Sequence, residues 1–204
     1  RAAILAGVAC VPLSLLSGWR AASVHGVAVA AAVEYNRHLK TTVASVVPYV
    51  VAFGALPAFV TLGGPAHRWP SASVMTAGAL MGAGAHFVNT LPDFEADALT
   101  GVRGLPHRLG RGPATVIGVG LLGAATVVVA TAGDEPLRRV GRCLAVAAAA
   151  SVAGVVAASA TGRRRAAWML TLATSAATVA LFLSRGELLD RTGRAGSVGQ
   201  RVRS

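Results

Sequence analysis

Asp93, Glu95 and Asp97 stand within five residues of one another at the end of an almost uncharged stretch. In a continuous helix the i, i+4 spacing puts Asp93 and Asp97 on one face, roughly 5–6 Å apart at Cβ. Like charges at that distance repel, and desolvation beside apolar surface raises the cost. A proton, an arginine or a divalent cation relieves it. Mg²⁺ commonly takes one or two carboxylates, keeps several waters and accepts phosphate oxygens as its remaining ligands. At 100° per residue, His86, Asn89, Asp93 and Asp97 fall within about 40° of a line, and Glu95 points away. Pro92 has no backbone donor and predicts a kink just before the carboxylates.

The next residues, "TGVRGLPHRLG", read as a turning loop through Gly101, Gly104 and Pro106. From it Arg103, Arg108 and His107 can face the acidic pair. Guanidinium donates in a fork that matches phosphate. An acid pair, a turn and then guanidinium groups form a sensible layout for an anion held by both metal and cations.

These residues need elements to position them, and the composition says which. Of 204 residues 54% are hydrophobic and 13% charged, with a mean hydropathy of +0.61. A soluble domain carries about 25% charged residues. Apolar residues come in long runs, which favours the membrane class. Seven apolar segments separate at 2–19, 21–35, 43–62, 70–92, 113–132, 137–160 and 166–184. Most approach the ~20 residues that cross a ~30 Å hydrocarbon core as a helix. The fold class is therefore all-α, a polytopic transmembrane bundle of seven helices over 1–184. The polar, Gly-rich tail at 185–204 is expected to lie at or off the membrane, disordered. Abundant glycine serves close helix approach in lipid, and Gly78 and Gly82 form a small-xxx-small pair. Cys10 and Cys143 read as small buried hydrophobes, with no disulfide framework or metal spacing.

The net charge is +11. Its basic residues sit singly or in short groups between apolar runs, which argues for membrane loops and against nucleic acid as a partner. Seven crossings put Arg1, Arg37, Lys40, Arg103, Arg108, Arg111 and Arg163 to Arg165 on one side, and Arg20, Arg68, Arg138, Arg139 and Arg142 on the other, where the tail with its five arginines opposes the loop count. The excess of loop charges assigns the first side, which also holds the acidic cluster, to the cytoplasm of a multi-pass cell-membrane protein.

The stretch "NTLPDFEADALTGVRGLPHRLG" resembles the second aspartate-rich motif of the UbiA superfamily of intramembrane prenyltransferases. In that family an Asn or Asp and then D-x-x-x-D ends the sixth of nine helices. A Gly-containing basic loop closing on Leu-Gly follows. Asn89, Asp93, Asp97, Gly101 and Leu109-Gly110 match. The stretch "EYNRHLKTTVASVVPYVVAFGALP" is similar to the family's connection between helices four and five. There a Tyr and a Lys contact the diphosphate, with a spacing of four in many members. Tyr35 and Lys40 are the counterparts, five apart. The resemblance implies a C-terminal portion of a Mg²⁺-dependent prenyltransferase, helices three to nine. Asp93, Asp97 and Asn89 would hold metal, and Lys40, Arg103, Arg108 and Tyr35 would bind diphosphate. Asp93, Asp97 and Lys40 would carry the catalysis. An isoprenyl diphosphate is then the donor, with an aromatic or lipid acceptor, and membrane lipid surrounds the protein.

The chain departs from the family in one respect. The first motif, N-D-x-x-D-x-x-x-D, is not among its eight acidic residues. The resemblance therefore implies two further N-terminal helices, and a 204-residue portion that is inactive alone. Two other readings stay open. One is a non-catalytic membrane protein or transporter using Asp93 and Asp97 as an ion site. The other is an intramembrane phosphotransferase for CDP-activated alcohols, although the D-G-x-x-A-R of such enzymes does not occur here.

Overall fold

The computed structural model describes residues 2–65, 67–132 and 136–184. Each of the seven apolar segments forms one long helix: α1 Ala2–Leu15, α2 Trp19–Arg37, α3 Val47–Gly63, α4 Ala72–Asn89, α7 Arg111–Thr131, α8 Arg139–Ala160 and α9 Arg164–Ser184. Two short helices, α5 Phe94–Leu99 and α6 Leu105–Leu109, interrupt the connection from α4 to α7. Two 3₁₀ turns, Leu39–Thr41 and Val43–Val46, lead into α3. No strand occurs among the described residues. The tail expected at 185–204 lies outside them, as do Asp134 and Glu135.

Local chemistry sets the ends of these helices. Ser71 caps α4 by accepting the Val74 N–H at 3.3 Å. Thr42 caps the second 3₁₀ turn by accepting from Ala44. Gly110 separates α6 from α7 with φ 90°, a left-handed angle that favours glycine.

The helices pack in sequence, α1 on α2, α2 on α3, α3 on α4 and α4 on α7. The α8–α9 hairpin lies against α7, and α9 also reaches α4. Buried contacts are small and spread out: Ala21, Ala58 and Leu62 between α2 and α3, and Ala77, Val129 and Leu181 among α4, α7 and α9. Large apolar side chains point outward instead, among them Leu16, Val146 and Leu183. That arrangement suits a bundle whose surroundings are apolar. Four helical stretches are long and apolar enough to cross a membrane: Val43–Gly63, Arg111–Thr131, Arg139–Ala160 and Arg164–Ser184. This is the architecture of an integral membrane protein. Polar side chains inside the bundle satisfy themselves locally. Thr126 donates to the Leu122 carbonyl, Thr178 to that of Thr174, and their hydroxyls lie 2.7 Å apart across the α7–α9 contact. The cysteine expectation is corrected: Cys143 is exposed on the outer face of α8, and Cys10 is half-buried.

Glycine makes the closest helix contacts. A Cβ at Gly82 would strike the Tyr49 carbonyl oxygen and the Phe53 side chain. One at Gly118 would come 2.9 Å from the Phe87 Cβ, and one at Gly84 3.0 Å from the Gly118 carbonyl oxygen. Gly82→Ala should therefore destabilise the bundle by about 1–3 kcal/mol, the usual cost of overpacking. Gly120→Ala, where a Cβ meets nothing within 4 Å, should be neutral. Thermal unfolding midpoints in detergent check this pair. Equal midpoints for the two variants would show that α3 and α4 have room between them.

Candidate anion and cation site at the loop end of the bundle

The expected single helical face through His86, Asn89, Asp93 and Asp97 is not formed. Helix α4 ends at Asn89, Thr90 to Asp93 turn, and α5 starts at Phe94. Pro92 ends the helix rather than kinking it, because it supplies no N–H to continue the hydrogen-bond ladder. The aspartates sit on a separate short helix. Asp93 occupies its N-cap position with φ −99°, its carboxylate exposed and not bonded to the backbone. Asp97, one turn on, is one-third exposed. Asn89 is exposed at the end of α4. Among the described residues the side chains of Asn89 and Asp93 form no hydrogen bond or ion pair with any predicted partner.

His86 leaves that face altogether. It is 1% exposed, and its Nε2 lies 2.9 Å from the Ser45 hydroxyl. The same hydroxyl accepts the Leu105 N–H at 2.9 Å. Ser45 thus ties α4, the 3₁₀ turn before α3 and the basic loop together. Tyr49 packs its ring 4.8 Å from His86, and Tyr35 packs edge-on against both.

The basic loop folds back over the Lys40 turn. The Arg108 guanidinium donates to the carbonyls of Arg103 at 3.0 Å and Thr41 at 3.3 Å. A Cβ at Gly104 would lie 2.8 Å from both the Lys40 carbonyl oxygen and the Ser45 hydroxyl, so only glycine lets the loop come this near. Lys40 is half-buried beside it. Phe94, Ala98, Arg103, His107 and Arg108 line a cavity of about 440 Å³. His107 is 4% exposed, stacks on Phe94 at 4.7 Å and places Nε2 3.6 Å from an Asp97 oxygen. Both of its ring nitrogens are buried without a hydrogen-bond partner.

Glu95 faces the other way, as its position predicted. It takes a hydrogen bond from Arg111 and lies 3.7 Å from Arg164. Arg111 also donates to the Leu91 carbonyl at 2.7 Å and covers the Phe94 ring. Helix α5 therefore separates two settings. On one side a carboxylate is bound to arginines. On the other, Asp97 meets an unpartnered imidazole.

Asp93 and Asp97 are the residues here that could hold a divalent cation. Asp93 and Asp97 provide two carboxylates with solvent access, one turn apart, and waters or phosphate oxygens would complete six ligands. No group of three or more His, Cys, Asp or Glu side chains able to hold a metal occurs among the described residues. Arg103 and Arg108 line the cavity, and Lys40 lies in the turn beside them. Ser45, Tyr49, Phe94 and the pairing of Glu95 with Arg111 and Arg164 escaped the sequence reading. Ser45 and Tyr49 lie in a valine-rich run in which neither residue type stands out.

Compared with known proteins, the chain matches no protein-family model, no curated protein and no solved structure.

The Arg111 hydrogen bond holds the Glu95 carboxyl below its ordinary value of 4.5. A depressed carboxyl stabilises the fold above its unfolded-state value, and that contribution disappears as pH falls through the folded-state value. The wild-type unfolding midpoint should drop on acidification from neutral pH through the carboxylate range by more than that of Glu95→Gln. Parallel pH curves for the two proteins would show that the pair contributes nothing.

Proposed function

We propose that this chain is the C-terminal portion of a UbiA-type, Mg²⁺-dependent intramembrane prenyltransferase. The observation that carries the reading is the fold of the basic loop. Arg108 is bonded to the Thr41 carbonyl, Gly104 is pressed against Lys40, and Asp97 lies beside the same loop. Cations and a carboxylate from two connections, α2–α3 and α4–α7, lie at one end of an apolar bundle, an arrangement that suits a diphosphate head with an apolar tail. The motif resemblance supplies the reaction class.

In this reading Asp93 and Asp97, with Asn89 at the end of α4, would hold Mg²⁺, which would supply positive charge to a bound diphosphate. Arg103, Arg108 and Lys40 bind the same diphosphate and stabilise the charge that grows on it as the allylic C–O bond breaks. Tyr35, packed on Tyr49 and His86, would add a further contact to the diphosphate. The isoprenyl carbon then bonds to an aromatic or lipid acceptor, the acceptor gives up a proton, and pyrophosphate leaves. The seven long helices cross the bilayer with the acidic end on the cytoplasmic side, as the loop charges indicate. One i, i+4 pair supplies at most two of six Mg²⁺ ligands. A second aspartate motif on a further helix pair is therefore part of the proposal, and the 204-residue chain alone is inactive.

The test is transfer of a labelled isoprenyl group from its diphosphate, with Mg²⁺, to a panel of aromatic acceptors. The longer chain that the resemblance implies should transfer. Asp93→Ala and Asp97→Ala should abolish turnover, and Glu95→Ala should cost little because Glu95 faces Arg111. Robust transfer by the 204-residue chain would remove the two-motif mechanism. No transfer by the longer chain with any donor or acceptor would remove the prenyltransferase reading. Damage from Glu95→Ala equal to that from Asp93→Ala would show that α5 does not separate two faces.

A further inference from the structure

A second cavity lies on the Glu95 side of α5. It has a volume of about 610 Å³ and opens where the α4–α5 turn, the start of α7 and the α8–α9 turn meet. Arg111, Arg164 and Arg165 line it, with Glu95 as the single acid. The wall thus carries an excess of positive charge. Glu95 engages Arg111 and Arg164, while Arg165 has no ion pair among the described residues. The Nε of Arg111 is buried with no hydrogen-bond partner. Buried donors of this kind are costly unless an acceptor reaches them. Helices α7 and α9 begin at Arg111 and Arg164, so the positive ends of two helices add to the same field.

The rest of the lining is apolar. Leu91, Pro92 and Ala167 form one side, and Trp168 stands half-buried at the first turn of α9. A tryptophan at the end of a helix long enough to cross a membrane matches the interfacial belt where amphipathic rings settle at headgroup depth. Cationic groups above and apolar surface below select an amphiphile over a free ion. We propose that this cavity binds the phosphate headgroup of an anionic glycerophospholipid, with the glycerol and upper acyl chain along Leu91 and Ala167. The proposal needs the bundle to sit in a bilayer and is independent of prenyl transfer. The lipid phosphate sits on the arginine side of α5, shares Arg111 with Glu95 and fixes the short helix from behind.

Native mass spectrometry of the detergent-solubilised protein tests the site, with phosphatidylglycerol, phosphatidylcholine or inorganic phosphate added. The unsubstituted protein should retain phosphatidylglycerol about tenfold better than phosphatidylcholine, since each basic residue near an anionic headgroup favours it by roughly fivefold at most. The double variant Arg164→Gln, Arg165→Gln should bring that ratio to about one. Arg37→Gln, at the exposed last residue of α2, should leave it unchanged. A photoactivatable phosphatidylglycerol should label the peptide spanning 159–168 in the unsubstituted protein, a readout that does not depend on any variant folding. Equal retention of the two lipids, a preference that survives the double variant, or labelling confined to other helices would overturn the proposal. Displacement of phosphatidylglycerol by an equal concentration of inorganic phosphate would make the cavity a free-phosphate site and overturn the lipid assignment.

Discussion

The loop end of the molecule hangs on the Ser45 hydroxyl. This group is fully buried, accepts the Leu105 N–H and lies 2.9 Å from His86 Nε2. It is the meeting point of α4, the turn entering α3 and the segment that carries Arg103 and Arg108. In a low-dielectric interior, losing such a partner leaves two buried polar groups exposed to their full desolvation cost, typically 1–3 kcal/mol each. Gly104 completes the joint because any side chain there would collide with Ser45 and with the Lys40 carbonyl. The position of the basic loop over the Lys40 turn follows from these two residues. The guanidinium bonds of Arg108 then reinforce a geometry already set from below.

The bundle that supports this joint is built from narrow contacts. Glycine at 78, 82, 84 and 118 lets α4 approach α3 on one side and α7 on the other almost backbone to backbone. In water such a helix would give up hydrophobic burial. In lipid, association relies on close packing and interhelical hydrogen bonds, so small residues inside and large ones outside is the favourable arrangement. Its consequence for the site is rigidity in α4, which holds His86 and therefore Ser45. The Thr126–Thr178 hydroxyl contact plays the corresponding part between α7 and α9.

Much of the fold was legible because hydropathy is a local property. Seven apolar segments became seven long helices, with ends displaced by a few residues where a cap or proline intervened, as at Ser71 and Pro92. Four of the stretches meet both length and hydropathy for a crossing. Segment α1 is short, and α2 carries Arg20, His25, Glu34 and Arg37 within its length. The site was legible in part. Residues that share a loop, such as Arg103 and Arg108, could be grouped from order alone. The helical-wheel argument failed beyond Asn89 because periodicity assumes an unbroken helix, and Pro92 ended it. Within α5 the same argument is sound again, and Glu95 and Asp97 do face different partners. Ser45 was invisible for a different reason: its partners lie 41 and 60 residues away, and a serine among valines has no local signature.

Charge pairing across α5 gives the short helix a definite orientation. Six residues form too little helix to be stable alone, since nucleation outweighs propagation at that length. Its backbone is therefore held by what its side chains bind. Glu95 is fastened to Arg111, whose guanidinium also grips the Leu91 carbonyl and lies over Phe94. Phe94 in turn stacks on His107, the residue beside Asp97. A chain of contacts thus runs from the arginine side of the helix, through an aromatic pair, to the carboxylate on the other side. Asp97 is left with an imidazole that has no hydrogen-bond partner, while Arg111 satisfies the competing carboxylate. Asp97 keeps its contact with His107 on one side of α5 while Glu95 keeps the two arginines on the other, so a helix too short to be stable alone is anchored from both faces.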